Sequence, residues 1–416
     1  MKRLQSTAVA ALATTGLLLG LTACGGGDET PAADGGSTEL RVWVMGDAGK
    51  TLTEVTKDFT AETGITLKID GIPWENVNDR LTTAVASGDG PDVVQVGLSL
   101  LPTFADAGVL EDITEQVKAY PELDPSNFPD AVSPQALTGT DAVTSVPWVS
   151  DTRILFYRTD ILGEAGISAA PTTWDEMRSA AKTLAARGDG QYGYYIPLWD
   201  NTLPVQYTWQ AGGDVIGADG AIDLDTPAFG AAVDHWTGFF ADGSAPTASD
   251  WDQTQGFISG ATPMVVSGPY LARAIDEAAP ELEGKWDVAT LPTNVTGTSL
   301  FAGSNLAVWK GSKNVDAAVK LLAHLADPEV QVAWYEAMSE LPTTADALET
   351  VAAADPKVKV YADQLADART VPMVPGWDLA ANEMATALTD IVTTGADRDS
   401  RLAQLRDKVA EIEKNY

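Results

Sequence analysis

Among the 416 residues there is one cysteine, Cys24, and there are two histidines, His235 and His324. No disulfide can close within such a chain, so its fold rests on its core, and the nitrogen and sulfur ligands of a zinc site cannot be assembled. Both histidines fall in amphipathic helical patterns and are read as satisfied core or surface side chains. Basic residues are scarce as well: 26 Lys and Arg stand against 59 Asp and Glu, a formal net charge of −33. Phosphate binding needs a basic face, which excludes nucleic acid as a partner and disfavours strongly anionic ligands. No Gly-x-Ser-x-Gly elbow or Walker loop occurs. Acids are plentiful enough for the paired carboxylates of a glycoside hydrolase, but number alone identifies no pair. The expectation is a protein that is not an enzyme and holds no cofactor or metal.

A long apolar run is missing too. Ala8 to Leu21 carries no charge, yet it falls short of the roughly 20 apolar residues that span a bilayer. It follows Lys2 and Arg3 and ends in small residues, the order of an export signal. Leu21-Thr22-Ala23-Cys24 looks like a bacterial lipobox, in which the cysteine is lipidated and becomes the new N-terminus. Residues 1–23 are read as a lipoprotein signal peptide and 24–38 as a flexible Gly-rich tether. Without residues 1–23 the chain keeps 24 basic and 59 acidic groups. The expected location is the extracytoplasmic face of the cell membrane, reached through a lipid on Cys24.

From Glu39 onward the chain is longer than one hydrophobic core usually serves, so two lobes are expected. Short β-rich runs alternate with segments of helical period, the signature of α/β layers on a mostly parallel sheet. Leu40–Val44, Ile65–Ile69 and Asp92–Val96 read as strands. Leu52, Val55 and Phe59 form one helical stripe, and Val77, Leu81 and Val85 another. Thr172 and Thr173 offer caps before Trp174-Asp175-Glu176, and Asp225 precedes the Thr226-Pro227 start signal. Asn314–Ala326 and Pro328–Met338 read as a helix pair joined at Asp327, and Trp377–Tyr416 as helical nearly throughout.

Twelve tryptophans are present, and several stand in loops beside polar residues. Apolar sugar faces stack on aromatic rings, while hydroxyls need carboxylates and amides as partners. Trp74-Glu75-Asn76, Trp148 with Asp151, Trp199-Asp200-Asn201, Trp251-Asp252 and Trp377-Asp378 have that mixture. Trp174, Trp236, Trp309 and Trp334 fall inside helical or strand patterns and are read as core.

The chain runs through Val42-Trp43-Val44-Met45-Gly46-Asp47, Phe59 to Ile65, Ala86-Ser87-Gly88-Asp89-Gly90-Pro91-Asp92-Val93 and Ala107-Gly108-Val109-Leu110. It continues through Val146-Pro147-Trp148, Asp151 to Tyr157 and Asp160, then Gly260 to Met264, Gly268-Pro269-Tyr270 and Ala302-Gly303-Ser304-Asn305-Leu306-Ala307-Val308. In this order these motifs carry a resemblance, over almost all of the mature length, to the maltose-binding type of extracellular solute-binding protein. It implies a type II periplasmic-binding-protein fold, each lobe a mostly parallel sheet flanked by helices, closing on a ligand by hinge bending. By resemblance the N-terminal lobe takes 39–147 and 303–348, and the C-terminal lobe 151–300 and 350–416. The implied sugar contacts include Asp47, Asp151, Trp199, Asp200, Asn201, Tyr270 and Trp377. With Trp74, Glu75, Trp148, Trp251, Gly303 and Asp378 these make up the candidate site. Ala48, Val96 and Ser99 depart from the maltose receptor's pattern and argue against a maltodextrin ligand. The implied partners are a mono- or oligosaccharide and the permease and ATPase subunits of an ABC importer, with the receptor a monomer. A polyamine receptor, with acids caging a cation among aromatics, is the first alternative, and a cell-surface glycoside hydrolase the second.

Overall fold

The computed structural model describes residues 38–46, 48–73, 76–128, 138, 140–248 and 251–415. Cys24, the expected signal segment and all of the tether before Thr38 lie outside them, as do Asp47, Trp74 and Glu75. A compact unit spans Thr38–Tyr416. Among the described residues no helix is long and apolar enough to cross a membrane, and no group of three His, Cys, Asp or Glu could hold a metal ion.

Ten strands are seen among the described residues: β1 (Glu39–Met45), β2 (Thr66–Ile72), β3 (Val93–Gly97), β4 (Val146–Thr152), β5 (Ile154–Tyr157), β6 (Met264–Ser267), β7 (Asp287–Ala289), β8 (Ser299–Val308), β9 (Leu341–Pro342) and β10 (Ala368–Arg369). They form two sheets. The larger runs β2-β1-β3-β8-β4-β9, with β10 added to β8, and the smaller runs β6-β5-β7. Leu40, Val42, Trp43, Val44 and Met45 are all buried, as befits a strand covered on both faces.

The expected mostly parallel pairing holds only in part. β1 lies parallel to β2 and β3, because the helices Gly49–Val55 and Val77–Ser87 make the crossovers that parallel neighbours need. β8 returns from far along the chain and runs antiparallel to β3 and β4. The smaller sheet is antiparallel at both pairings. The stripe Leu52, Val55, Phe59 also departs from expectation: helices Gly49–Val55 and Lys57–Thr63 meet at Thr56. There the Oγ1 donates to Leu52 O at 2.7 Å, a back-bond that competes with the helical ladder.

The helix starts follow from local chemistry. Thr173 caps Trp174–Ala185 by accepting from Glu176 N, and Glu176 reaches back to Thr172 N at 2.8 Å, a reciprocal box. Thr226 rather than Asp225 caps Pro227–Ala241, while Asp225 pairs with Arg406. Asp327 caps Pro328–Met338 and separates it from Val315–Ala326. Trp377–Thr394 and Arg398–Glu413 fill the C-terminal part.

Three cores hold these elements. The first joins β1, β3 and most of β8 to Val315–Ala326. The second gathers Pro227–Ala241 and the two C-terminal helices. In the third, Val351, Val358 and Tyr361 back the small sheet through Phe156, Val265 and Val288. Phe156 stacks on Trp286 at 5.7 Å and meets Phe257 edge-on, contacts worth about 0.5–1.5 kcal/mol each beyond the area they bury.

Candidate functional site

β4 and β5 are separated by Arg153 alone, yet they belong to different sheets. The chain therefore crosses from one layer system to the other at a single residue. A second strand crosses beside it: Thr152 Oγ1 donates to Leu300 O at 2.8 Å, and Ser299 Oγ donates to Arg153 O at 2.7 Å. The crossing, with Asp151 and Arg153 on it, is the candidate floor of the site.

Asp151 and Arg153 occupy that floor as an ion pair, Nη1 to Oδ2 at 2.7 Å, with about a quarter of each side chain exposed. Asp151 Oδ1 is sealed and has no hydrogen-bond partner. It lies against Gly268, where an added Cβ would come within 2.6 Å of Oδ1 and 2.4 Å of Arg153 Nη1. That close approach is why glycine precedes Pro269 and Tyr270. Burial lifts the Asp151 carboxyl above its ordinary pKa, with Arg153 pulling the other way. Burial also works against the Arg153 charge, but Asp151, Tyr270 and Asp200 outweigh it and hold the guanidinium firmly cationic.

The other polar candidates come from the loop before helix Leu203–Gln210, from the start of helix Tyr270–Ala278 and from helix Trp377–Thr394. Asp200 Oδ1 accepts from Thr202 N at 2.8 Å and from Leu203 N at 3.2 Å, which fixes the start of helix Leu203–Gln210. Next to it, Asn201 donates to Asn382 Oδ1 at 3.0 Å. Asn382 stands four residues after Asp378 on the Trp377–Thr394 helix, so the two share a face. Asp378 is exposed, and partial desolvation by its neighbours raises its carboxyl pKa. Tyr270 is half exposed, and its hydroxyl accepts from Gln253 Nε2 at 2.8 Å. Trp199 is 75% exposed, an open ring beside Asp200.

Of the candidate residues, Asp151, Asp200 and Tyr270 lie about Arg153, while Asn201 reaches Asn382 on the helix that also carries Asp378. Others have different jobs. Trp148 is only 2% exposed and packs on Trp334 at 4.6 Å. It sits where the β4–β8 register shifts between Pro147 and Val149, and such a bulge re-aims a side chain. Its ring fills the first core, contrary to the expected ligand role. Trp377 is likewise packed into the second core and offers no free stacking face. Trp251 is half buried, edge-on to Tyr192 at 5.3 Å, with its carbonyl taking a bond from Tyr195. Gly303 is glycine because β8 passes close to β4: its φ is 144°, and a Cβ would stand 2.2 Å from Val149 O. Its lack of a side chain is required by packing.

Sequence reasoning missed Arg153, Gln253 and Asn382. Arg153 had a legible signal, an unexpected charge two places after Asp151, on the same side of an extended chain. Gln253 and Asn382 gave none, since only the fold brings them to Tyr270 and Asn201.

The family described as bacterial extracellular solute-binding protein matches residues 43–332. The diacetylchitobiose binding protein DasA of Streptomyces coelicolor is 26% identical, over 94% of this chain and 95% of its own length. A maltooligosaccharide ABC transporter solute-binding lipoprotein of Streptococcus pneumoniae is 26% identical, over 83% of this chain and 82% of its own. Among solved structures, the sugar-binding protein MalE of Xanthomonas citri superposes with a TM-score of 0.82 at 29% identity, covering 90% of this chain and 97% of that one.

Proposed function

Because the chain belongs to the bacterial extracellular solute-binding protein family, we propose that it captures a neutral mono- or oligosaccharide between two lobes and hands it to the permease and ATPase of an ABC importer. The lobes are 39–147 with 303–348 and 151–300 with 350–416, and bending occurs at the β4–β5 crossing. The observation that carries this reading is the floor itself: a carboxylate, a guanidinium and a phenol gathered where the two sheets meet. A sugar hydroxyl both donates and accepts, so it can serve Asp151 and Arg153 alike, and charged partners make the stronger bonds. Asp200, Asn201, Tyr270 and Asp378 extend the polar surface, and the exposed ring of Trp199 supplies an apolar face. Asp47, Trp74, Glu75 and Trp251 remain proposed contacts. The names of the relatives point the same way, two to oligosaccharides and one to sugar in general.

A polyamine is disfavoured at this floor, since Arg153 keeps its charge. Binding without turnover is proposed, with lipid attachment at Cys24 and a monomeric receptor on the extracytoplasmic face. Calorimetry of the chain from Thr38 onward with neutral saccharides and with spermidine tests the reading. Heat of binding from at least one saccharide and none from spermidine is expected. Binding of spermidine alone, or release of shortened sugars, would sink it.

A further inference from the structure

A depression of about 620 Å³ lies on the flank of the second core, between helices Trp174–Ala185 and Pro227–Ala241 and the loop carrying Asn294. None of the floor residues lines it. Its lining includes His235, which is 7% exposed and stacks on Trp174 at 3.9 Å and 12°. Tyr207 and Phe239 meet the imidazole edge-on at 4.8 and 5.0 Å. Neither ring nitrogen has a hydrogen-bond partner, and neither is sealed from solvent. Trp174, expected to be core, is half buried, with its Nε1 donating to Gln210 at 2.8 Å.

We propose that this depression is a second saccharide site, floored by the Trp174–His235 stack and independent of the cleft. The chemistry of the lining selects the ligand. An anion would meet Asp175 and Asp234 on a strongly acidic chain. A cation would meet Arg178, and Arg398 already pairs with Asp234 at 2.7 Å. Burial, with Arg178 beside it, keeps His235 neutral, so one ring nitrogen donates and the other accepts. A hydroxyl complements both. Asp175 and Asn294 add an acceptor and an amide, and the volume is that of ordinary small-molecule sites.

The full exported chain labelled with 5-fluorotryptophan tests this by fluorine NMR, with the Trp174 resonance assigned from Trp174→Phe. N,N′-diacetylchitobiose and maltose are the probes. The Trp174 resonance is expected to shift with a millimolar midpoint that persists in Asp151→Asn, and Asp175→Ala should weaken it about tenfold. Ala231→Trp, which fills the depression, should abolish it. Asp175 is exposed, so that variant stays informative even if the tryptophan is not accommodated. A Trp174 resonance unmoved by about 50 mM of either sugar overturns the proposal, as does a shift unchanged in Asp175→Ala. If the cleft binds no sugar, the reading above fails on calorimetry while Trp174 still decides this one.

Discussion

The floor of the cleft and the depression on the flank both set polar groups among aromatic rings, but they keep those groups ready in opposite ways. At the floor the groups are charged and already engaged with each other, Asp151 with Arg153, so a ligand must share or displace an existing bond. On the flank the imidazole is neutral and unengaged, and a ligand only adds bonds. Charge held in place gives strong, directional contacts at a desolvation cost. Neutrality gives weaker contacts without that cost.

The largest expected effect that separates the two regions is on pH dependence. Burial lowers the His235 pKa from 6.5 to about 3. Between those values the unfolded chain binds a proton that the folded chain refuses, so this contribution to stability is complete above pH 6.5 and lost as the pH falls. Denaturation of wild type should lose roughly 3 kcal/mol between pH 6.5 and 4 from this group. His235→Phe should flatten that part of the curve, and an unchanged slope would mean the ring is not neutral in the fold. Next comes Gly268→Ala, which forces a methyl against the ion pair and should cost about 1–3 kcal/mol in urea melts. It should also weaken sugar binding at the cleft while leaving the Trp174 resonance in place. Asp151→Asn keeps the shape but removes the charge, and calorimetry should show affinity reduced by roughly tenfold or more. Tyr270→Phe loses only the Gln253 bond and should cost about 1 kcal/mol or less in thermal melts. Trp199→Ala is the smallest: its ring is free, so stability should stay within about 0.5 kcal/mol while cleft affinity falls.

Much of this could be read from the residues alone. β1, β2 and β3 announced themselves through β-rich runs, the cap at Thr173 through a short polar side chain before a helical pattern, and the break at Asp327 through the helix pair it joins. Asp151 was legible as a carboxylate near Trp148 and through the family resemblance. What escaped reading depends on partners distant in sequence. Nothing local tells that Trp148 stands on a bulge and turns inward to Trp334, or that Gly303 must let β4 pass. A tryptophan beside a proline looks the same whether its ring meets a sugar or a neighbouring helix. The antiparallel pairings were likewise hidden, because β8 chooses its neighbours from segments more than 140 residues earlier.

The position of β8 between β3 and β4 also sets the order in which the molecule can be made. The middle strand of the first sheet is Ser299–Val308, so β3 and β4 have no shared neighbour until almost three quarters of the chain has been synthesised. The first lobe cannot close by itself on a ribosome, and long-range pairing of this kind makes folding slow. For a chain exported as proposed, that delay is useful: it stays open enough to be threaded across a membrane and locks only once its late strand has arrived on the far side.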